Sequence, residues 1–73
     1  MRHKMTKREV AAIIEEIQEL RGWSAARLAN EMGVHESAIS LWLSGKRTPI
    51  KVMDRLLREQ LDKARHEPKP VPA

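Results

Sequence analysis

The 73-residue chain contains no cysteine, tyrosine or phenylalanine, and two tryptophans are its only aromatic residues. Without cysteine, neither disulfides nor thiolate metal ligands can stabilise the fold. The three histidines lie far apart in sequence and none pairs with another at helical spacing, so we expect no metal and no cofactor. A domain of this size buries only about 60% of its unfolded surface, and its stability is correspondingly marginal.

The sequence also lacks any long apolar run that would indicate a membrane span or a signal peptide. We therefore expect a cytoplasmic protein, and the lack of cysteine fits a reducing compartment. The net charge of +4 and the pI of about 10.0 favour a polyanionic partner, either nucleic acid or an anionic membrane surface. Glu15, Glu16 and Glu19 on the polar side of the first predicted helix argue against anionic lipid, so we expect no membrane partner.

Hydrophobic periodicity predicts four helices and no strands, and therefore an all-α fold. Residues 1–5 are predicted to be a flexible basic arm, residues 6–66 one domain, and residues 67–73 a disordered tail rich in proline. The predicted helices are Lys7 to Arg21, Ala25 to Met32, about Glu36 to Leu43, and Pro49 to about Arg65.

Local signals mark the ends of these helices. Thr6 and Glu9 have the spacing of a capping box at the start of the first helix. Ser24 is a favourable N-cap for the second helix. Thr48 followed by Pro49 predicts the start of the fourth helix, with threonine as N-cap and proline at the first helical position.

The fourth helix carries a wide apolar stripe, formed by Val52, Met53, Leu56, Leu57 and Leu61. The later part of this stripe extends beyond the short helices predicted beneath it, and it consists of Leu57, Leu61 and Ala64. We therefore expect this part of the stripe to contribute to a dimer surface. Trp23 and Trp42 bracket the short helices, and we expect both to belong to the core rather than to stack on bases.

The second and third helices carry apolar and small residues at fixed offsets. Ala29 lies where two helices must approach closely, and Gly33 follows four residues later as a turn. Val34 is apolar directly after the turn, and Ile39 and Trp42 lie on the inward side of the third helix. This pattern holds the third helix steeply across the second, so that its outer face stands clear of the body.

The stretch from Trp23 to Pro49 resembles the Cro- and cI-like helix-turn-helix family of bacterial and phage repressors, often called the XRE family. The resemblance implies a lambda-repressor-like helical bundle that binds double-stranded DNA, as a homodimer at least on DNA. Family members commonly have a fifth helix, whereas this sequence predicts a bundle of four helices. This sequence departs from the family pattern at two positions. Many members carry glutamine or another polar side chain at the position of Ala25, and serine or threonine at the position of His35. The resembling segments are Leu28-Ala29, Met32-Gly33-Val34, Ile39-Ser40-Leu41-Trp42 and Ser44-Gly45-Lys46-Arg47-Thr48-Pro49.

Five residues of the third helix, Glu36, Ser37, Ser40, Leu41 and Ser44, recur at the spacing of one helical face. The resemblance implies that this face enters the major groove. Glu36 can accept from cytosine N4, Ser37 and Ser40 can donate or accept, and Leu41 can cover a thymine methyl group. These four are the predicted base contacts. The alternative is a solvated polar face with one exposed leucine.

Phosphate contacts are expected to flank that face. The resemblance places Lys46 and Arg47 in a loop that meets the DNA backbone, while Ser24 and Ala25 can offer backbone N–H groups at a helix start. The alternatives are two solvated cations and a simple cap. The predicted phosphate contacts are Ser24, Ala25, Arg27, His35, Ser44, Lys46 and Arg47.

Two of these assignments leave a second interpretation open. Arg27 either reaches a phosphate or pairs with Glu31 at i+4. His35 is a poorer N-cap than serine, and either touches a phosphate through a ring nitrogen or is an exposed cap residue. The basic residues near the N-terminus either contact the DNA backbone or minor groove, or are solvated: Arg2, Lys4, Lys7 and Arg8.

A regulator that represses transcription from a palindromic operator is the function we expect, and a phage or plasmid origin fits the family resemblance. The alternative is a helix-turn-helix module that binds a protein, as in an antitoxin or an accessory subunit. No nucleophile motif and no glycine-rich phosphate loop is present, so we expect neither an enzyme nor a small-molecule substrate.

Overall fold

A computed structural model of the protein describes residues 6–67, and these residues form four helices and no strand. The predicted all-α class is confirmed, as are both bounds of the first two helices; the third is one residue longer than predicted. The predicted arm, residues 1–5, and residues 68–73 of the predicted tail lie outside the described residues. The helices are α1 (Lys7–Arg21), α2 (Ala25–Met32), α3 (Glu36–Ser44) and α4 (Lys51–His66).

The predicted helix-start signals of α1 and α2 are confirmed. The Thr6 hydroxyl accepts from the Glu9 N–H at 3.2 Å, and the Glu9 carboxylate accepts from the Thr6 N–H at 3.1 Å, which completes the capping box. Ser24 Oγ accepts from the Arg27 N–H at 3.1 Å. Each bond satisfies a backbone group that has no partner within its own helix.

The predicted start of α4 at Thr48 and Pro49 is wrong. Ile50 is the N-cap, with an extended backbone (ψ 167°), and the first backbone bond runs from the Asp54 N–H to the Ile50 carbonyl at 2.8 Å. The fixed φ of proline suits an extended connection as well as a helix start, so Thr48-Pro49 is an ambiguous signal. In this chain the connection from α3 stays non-helical through both residues, and the helix continues one residue past the predicted end.

The core is aliphatic apart from Trp42, and all four helices contribute to it. Trp23 is half-buried and packs against this core, so both tryptophans lie where the sequence predicts. Within residues 6–67 no polar or charged residue is buried. The buried residues are Val10, Ile14, Ile17, Leu28, Ala29, Met32, Ile39, Trp42, Leu57, Leu61 and Ala64.

The expectation that the later part of α4 is left uncovered is wrong. Leu57 and Ala64 have no exposed surface and Leu61 is 9% exposed, because α4 packs along α1, a helix of nearly equal length. The exposed apolar surface lies instead at the start of α4, where Ile50 is 70% exposed and Val52, expected in the buried stripe, is 61% exposed. Any self-association would therefore have to use a different surface.

Candidate nucleic-acid interface

The turn between α2 and α3 depends on the left-handed backbone of Gly33, with φ 72°. The Gly33 N–H donates to the Asn30 carbonyl at 3.2 Å, and the Val34 N–H donates to the Ala29 carbonyl at 2.9 Å. A side chain at Gly33 would meet no atom within 4 Å, so backbone conformation and not space is what requires glycine here. The turn directs the chain from α2 into α3.

The third helix is held on one side and free on the other. Ile39 has no exposed surface and Trp42 is 6% exposed, so these two side chains fix α3 against the body. Of the predicted base contacts, Glu36, Ser37 and Ser40 are exposed and Leu41 is half-buried. The structure therefore places the polar part of the predicted face in solvent, with the leucine partly accessible beside it.

His35 caps α3 through its ring. Its Nδ1 accepts from the Ser37 N–H at 3.1 Å and lies 2.9 Å from Ser37 Oγ. Of the two interpretations left open by the sequence, the exposed cap residue is the one that these contacts describe. Because Nδ1 acts as the acceptor, the ring proton belongs on Nε2, and that N–H is left as a donor for a second group.

The exit from α3 is tied to one carbonyl oxygen. The oxygen of Leu41 accepts from Ser44 Oγ at 3.1 Å, from the Lys46 N–H at 3.1 Å and from the Arg47 N–H at 3.3 Å. Gly45 makes this possible with φ 77°. A phosphate contact by Ser44 would require its hydroxyl to leave this carbonyl, whereas the exposed side chains of Lys46 and Arg47 are free to reach a ligand.

At the start of α2, Ser24 is exposed and Ala25 is half-buried against the core. Arg27 Nε donates to Glu31 Oε2 at 3.0 Å, which is the i+4 pair that the sequence offered as one of its two alternatives. A phosphate contact by Arg27 would have to compete with this pair, but both side chains are exposed and the pair is weak in water.

Trp23 contacts two arginine side chains, and these contacts were not predicted from the sequence. The guanidinium carbons of Arg21 and Arg27 each lie 5.2 Å from the centre of the indole ring. Cations at this distance are attracted to the face of an aromatic ring. Arg21 lies two residues before the tryptophan and Arg27 four residues after it. This spacing is the sequence signal from which the contact could have been predicted. The ring thus gathers two guanidinium groups beside the start of α2.

The described part carries only a small net positive charge. All ten carboxylates but only eleven of the fourteen Lys and Arg residues lie within residues 6–67, which leaves a net charge of +1 there. Lys46 and Arg47 form no ion pair with a carboxylate of the described part, so their charges remain uncompensated. Four other arginines are paired: Arg27 with Glu31, Arg55 with Glu59, Arg58 with Asp54, and Arg65 with Glu16.

Comparison with known protein families identifies the family to which this arrangement of helices belongs. A family model described as "Helix-turn-helix" matches residues 13–59, more than half of the chain. The chain belongs to the Cro- and cI-like helix-turn-helix family. This is a family of DNA-binding regulatory domains, and the resemblance drawn from Trp23 to Pro49 is confirmed. Searches of curated proteins and of solved structures found no match to the chain.

The match to the Cro- and cI-like helix-turn-helix family reaches beyond the turn itself. It contains all of α2 and α3, the second half of α1, and α4 as far as residue 59. Within residues 6–67, no helix has the length and apolar composition needed to cross a bilayer. The same residues contain no grouping of histidine and carboxylate side chains that could hold a metal ion.

Proposed function

We propose that the protein is a transcriptional repressor of the phage or plasmid type that reads a palindromic operator through the major groove. The observation that supports this most directly is the exposed polar face of α3, which projects from the body beside the uncompensated charges of Lys46 and Arg47. Action on DNA would place the protein in the cytoplasm.

Sequence would be read by four side chains of α3. Glu36 accepts from cytosine N4, and the hydroxyls of Ser37 and Ser40 donate to or accept from base edges. Leu41 covers a thymine methyl group with the part of its side chain that stays accessible. Because the inner side of α3 is anchored by Ile39 and Trp42, these contacts would be made from a fixed platform.

Position and much of the affinity would come from phosphate contacts that carry no sequence information. Lys46 and Arg47 would supply the charged contacts. The start of α2 at Ser24 and Ala25 would offer backbone N–H groups, and Ser44 could join after releasing the Leu41 carbonyl. Arg27 and the Nε2–H of His35 would flank these groups from α2 and from the start of α3.

A palindromic operator requires two copies whose recognition helices lie about 34 Å apart. We place the self-contact at Ile50 and Val52, since these are the large apolar side chains that the described part leaves exposed. They follow the exit loop of α3 closely, so a contact there would bring the two loops together near the symmetry axis. Sedimentation with and without duplex tests this, because a protein that stays monomeric in both cases has no such dimer.

The experiment that tests the function is selection of bound duplexes from a random pool, followed by titration of the selected duplex and a scrambled one at several salt concentrations. We expect a two-fold symmetric consensus and a binding constant that falls steeply with salt. Arg47→Gln should weaken both duplexes, whereas Arg55→Gln, an equal charge change on α4, should change binding little. A binding constant that does not respond to salt would favour a protein partner, such as the toxin of an antitoxin.

A further inference from the structure

An open cleft of about 380 Å³ separates the start of α1 from the end of α3. The cleft is shallow and open to solvent, so a hydrated phosphate group can approach its lining. The residues that line it come from two elements distant in sequence: Lys7, Arg8, Ala11, Leu43, Ser44 and Gly45.

Two exposed cations stand on one wall of this cleft. Neither Lys7 nor Arg8 pairs with a carboxylate of residues 6–67. The carboxylate of Glu9, in the same helical turn, accepts from the Thr6 N–H as part of the capping box. The wall therefore carries two positive charges that no neighbouring ion pair in the described part neutralises.

The other wall belongs to the end of the recognition helix. A methyl group built at Gly45 would lie 3.5 Å from Lys7 Cδ, so the stem of this lysine rests on the exit loop. Ser44 lines the cleft and is also the last member of the exposed face of α3. Lys46 and Arg47 follow directly. The cleft is thus continuous with the face proposed to meet DNA, and the charges of Lys7 and Arg8 extend the charged edge of the exit loop.

We propose that this cleft binds a phosphodiester group of the same duplex whose bases α3 reads, with Lys7 and Arg8 as its charged ligands. The inference rests on the proposed function and adds a clamp that joins two helices across the exit loop. A clamp of this kind adds affinity to every duplex and discriminates none, because phosphates are the same at every step of the sequence.

The first test uses the full chain and measures the dependence of duplex binding on salt. The double variant Lys7→Gln/Arg8→Gln should make the plot of log binding constant against log salt concentration less steep by about 0.9 per subunit, the value for one phosphate contact, and each single variant should account for part of that change. The selected and scrambled duplexes should be affected equally. Lys63→Gln removes the same charge from an exposed position on α4 and is expected to leave the slope unchanged. Circular dichroism of each variant establishes that its fold is retained.

The second test locates the phosphate. Single phosphates of the selected duplex are replaced by uncharged methylphosphonates, and each duplex is titrated with wild type and with the double variant Lys7→Gln/Arg8→Gln. At one position per half-site, neutralisation should weaken wild type but cause no further loss in the double variant. The clamp would be overturned if, at every phosphate position, the loss from neutralisation added to the loss from substitution. It would also be overturned if the salt dependence of the Lys7 and Arg8 variants equalled that of Lys63→Gln.

The outcomes also separate this inference from the proposed function. If Arg47→Gln flattens the salt dependence and Lys7→Gln and Arg8→Gln do not, the protein binds DNA without the clamp. If wild type binds no duplex at all, both proposals fall together.

Discussion

The imidazole Nδ1 of His35 accepts a hydrogen bond from the backbone N–H of Ser37 at 3.1 Å, so the residue that caps α3 is bonded to the second residue of its exposed face. The same nitrogen lies 2.9 Å from Ser37 Oγ. With the ring proton on Nε2, Nδ1 has a single lone pair, so any donation by the hydroxyl shares that acceptor with the Ser37 N–H. One side chain thereby caps the helix and orients a predicted base contact.

Replacement of His35 tests the cap. His35→Ala should lower the free energy of unfolding by about 1 kcal/mol, because the Ser37 N–H loses its partner. His35→Asn should restore most of that loss, since asparagine is a preferred N-cap. Urea unfolding followed by tryptophan fluorescence measures both. Equal stability of wild type and His35→Ala would show that the ring contact contributes nothing.

Substitution of Gly33 tests the turn between α2 and α3. Gly33→Ala should cost about 1–2 kcal/mol, because an alanine there must adopt the left-handed backbone. Since no atom lies within 4 Å of an added side chain, the cost is expected from the backbone alone. Gly33→Asn should cost less, because asparagine visits this region more readily. Thermal unfolding compares the three proteins, and a larger loss for asparagine than for alanine would point to crowding instead.

Ser40 and Arg47 are predicted to have separable roles on DNA. Ser40→Ala should weaken the selected duplex by about 1–3 kcal/mol and relax the preference at one base position. Arg47→Ala should weaken all sequences nearly equally and reduce the salt slope by about one unit. Titration of a panel of single-base operator variants distinguishes these effects. A change of base preference in Arg47→Ala with no change of slope would reverse the assigned roles.

The contact between Arg65 and Glu16 predicts a pH dependence of stability. Arg65 Nε donates to Glu16 Oε2 at 2.7 Å, and this hydrogen bond lowers the pKa of Glu16 below its ordinary value. Since the pKa is lower in the folded than in the unfolded state, the contribution is present above the ordinary glutamate pKa of about 4.3 and is lost as pH falls through the folded value.

Arg65→Gln should therefore be less stable than wild type at neutral pH, by a modest amount because both side chains are more than one third exposed. The difference should shrink as pH is taken below about 4, and also when salt is raised at neutral pH. Urea unfolding across this range measures it. A difference that stays constant as Glu16 is protonated would exclude the ion pair as its source.

Short-range signals were sufficient for most of the fold. The capping box at Thr6, the cap at Ser24 and the turn at Gly33 act within a few residues, so the sequence placed α1 and α2 correctly. Thr48-Pro49 failed because the same two residues suit an extended connection. The covered face of Leu57, Leu61 and Ala64 was missed because α1 and α4 meet across a long sequence separation.

In the candidate site too, local sequence patterns predicted some features and did not predict others. The exposure of Glu36, Ser37 and Ser40 follows from helical spacing, and the structure places them accordingly. The ring contact of His35 depends on a side-chain rotamer, and the cleft at Lys7 depends on how α1 packs against the end of α3. The sequence therefore offered the His35 cap only as one of two interpretations, and it carried no local pattern for the cleft.

The carbonyl of Leu41, whose donors include the N–H groups of Gly45, Lys46 and Arg47, bears on the thermodynamics of association. A loop whose backbone is already fastened loses little conformational entropy when it meets a ligand, so less of the interaction energy is spent on ordering it. The backbone amide hydrogens of Lys46 and Arg47 are both engaged by that oxygen before any contact with DNA. The two cations are therefore carried on a pre-organised support, and only their side chains have to be immobilised.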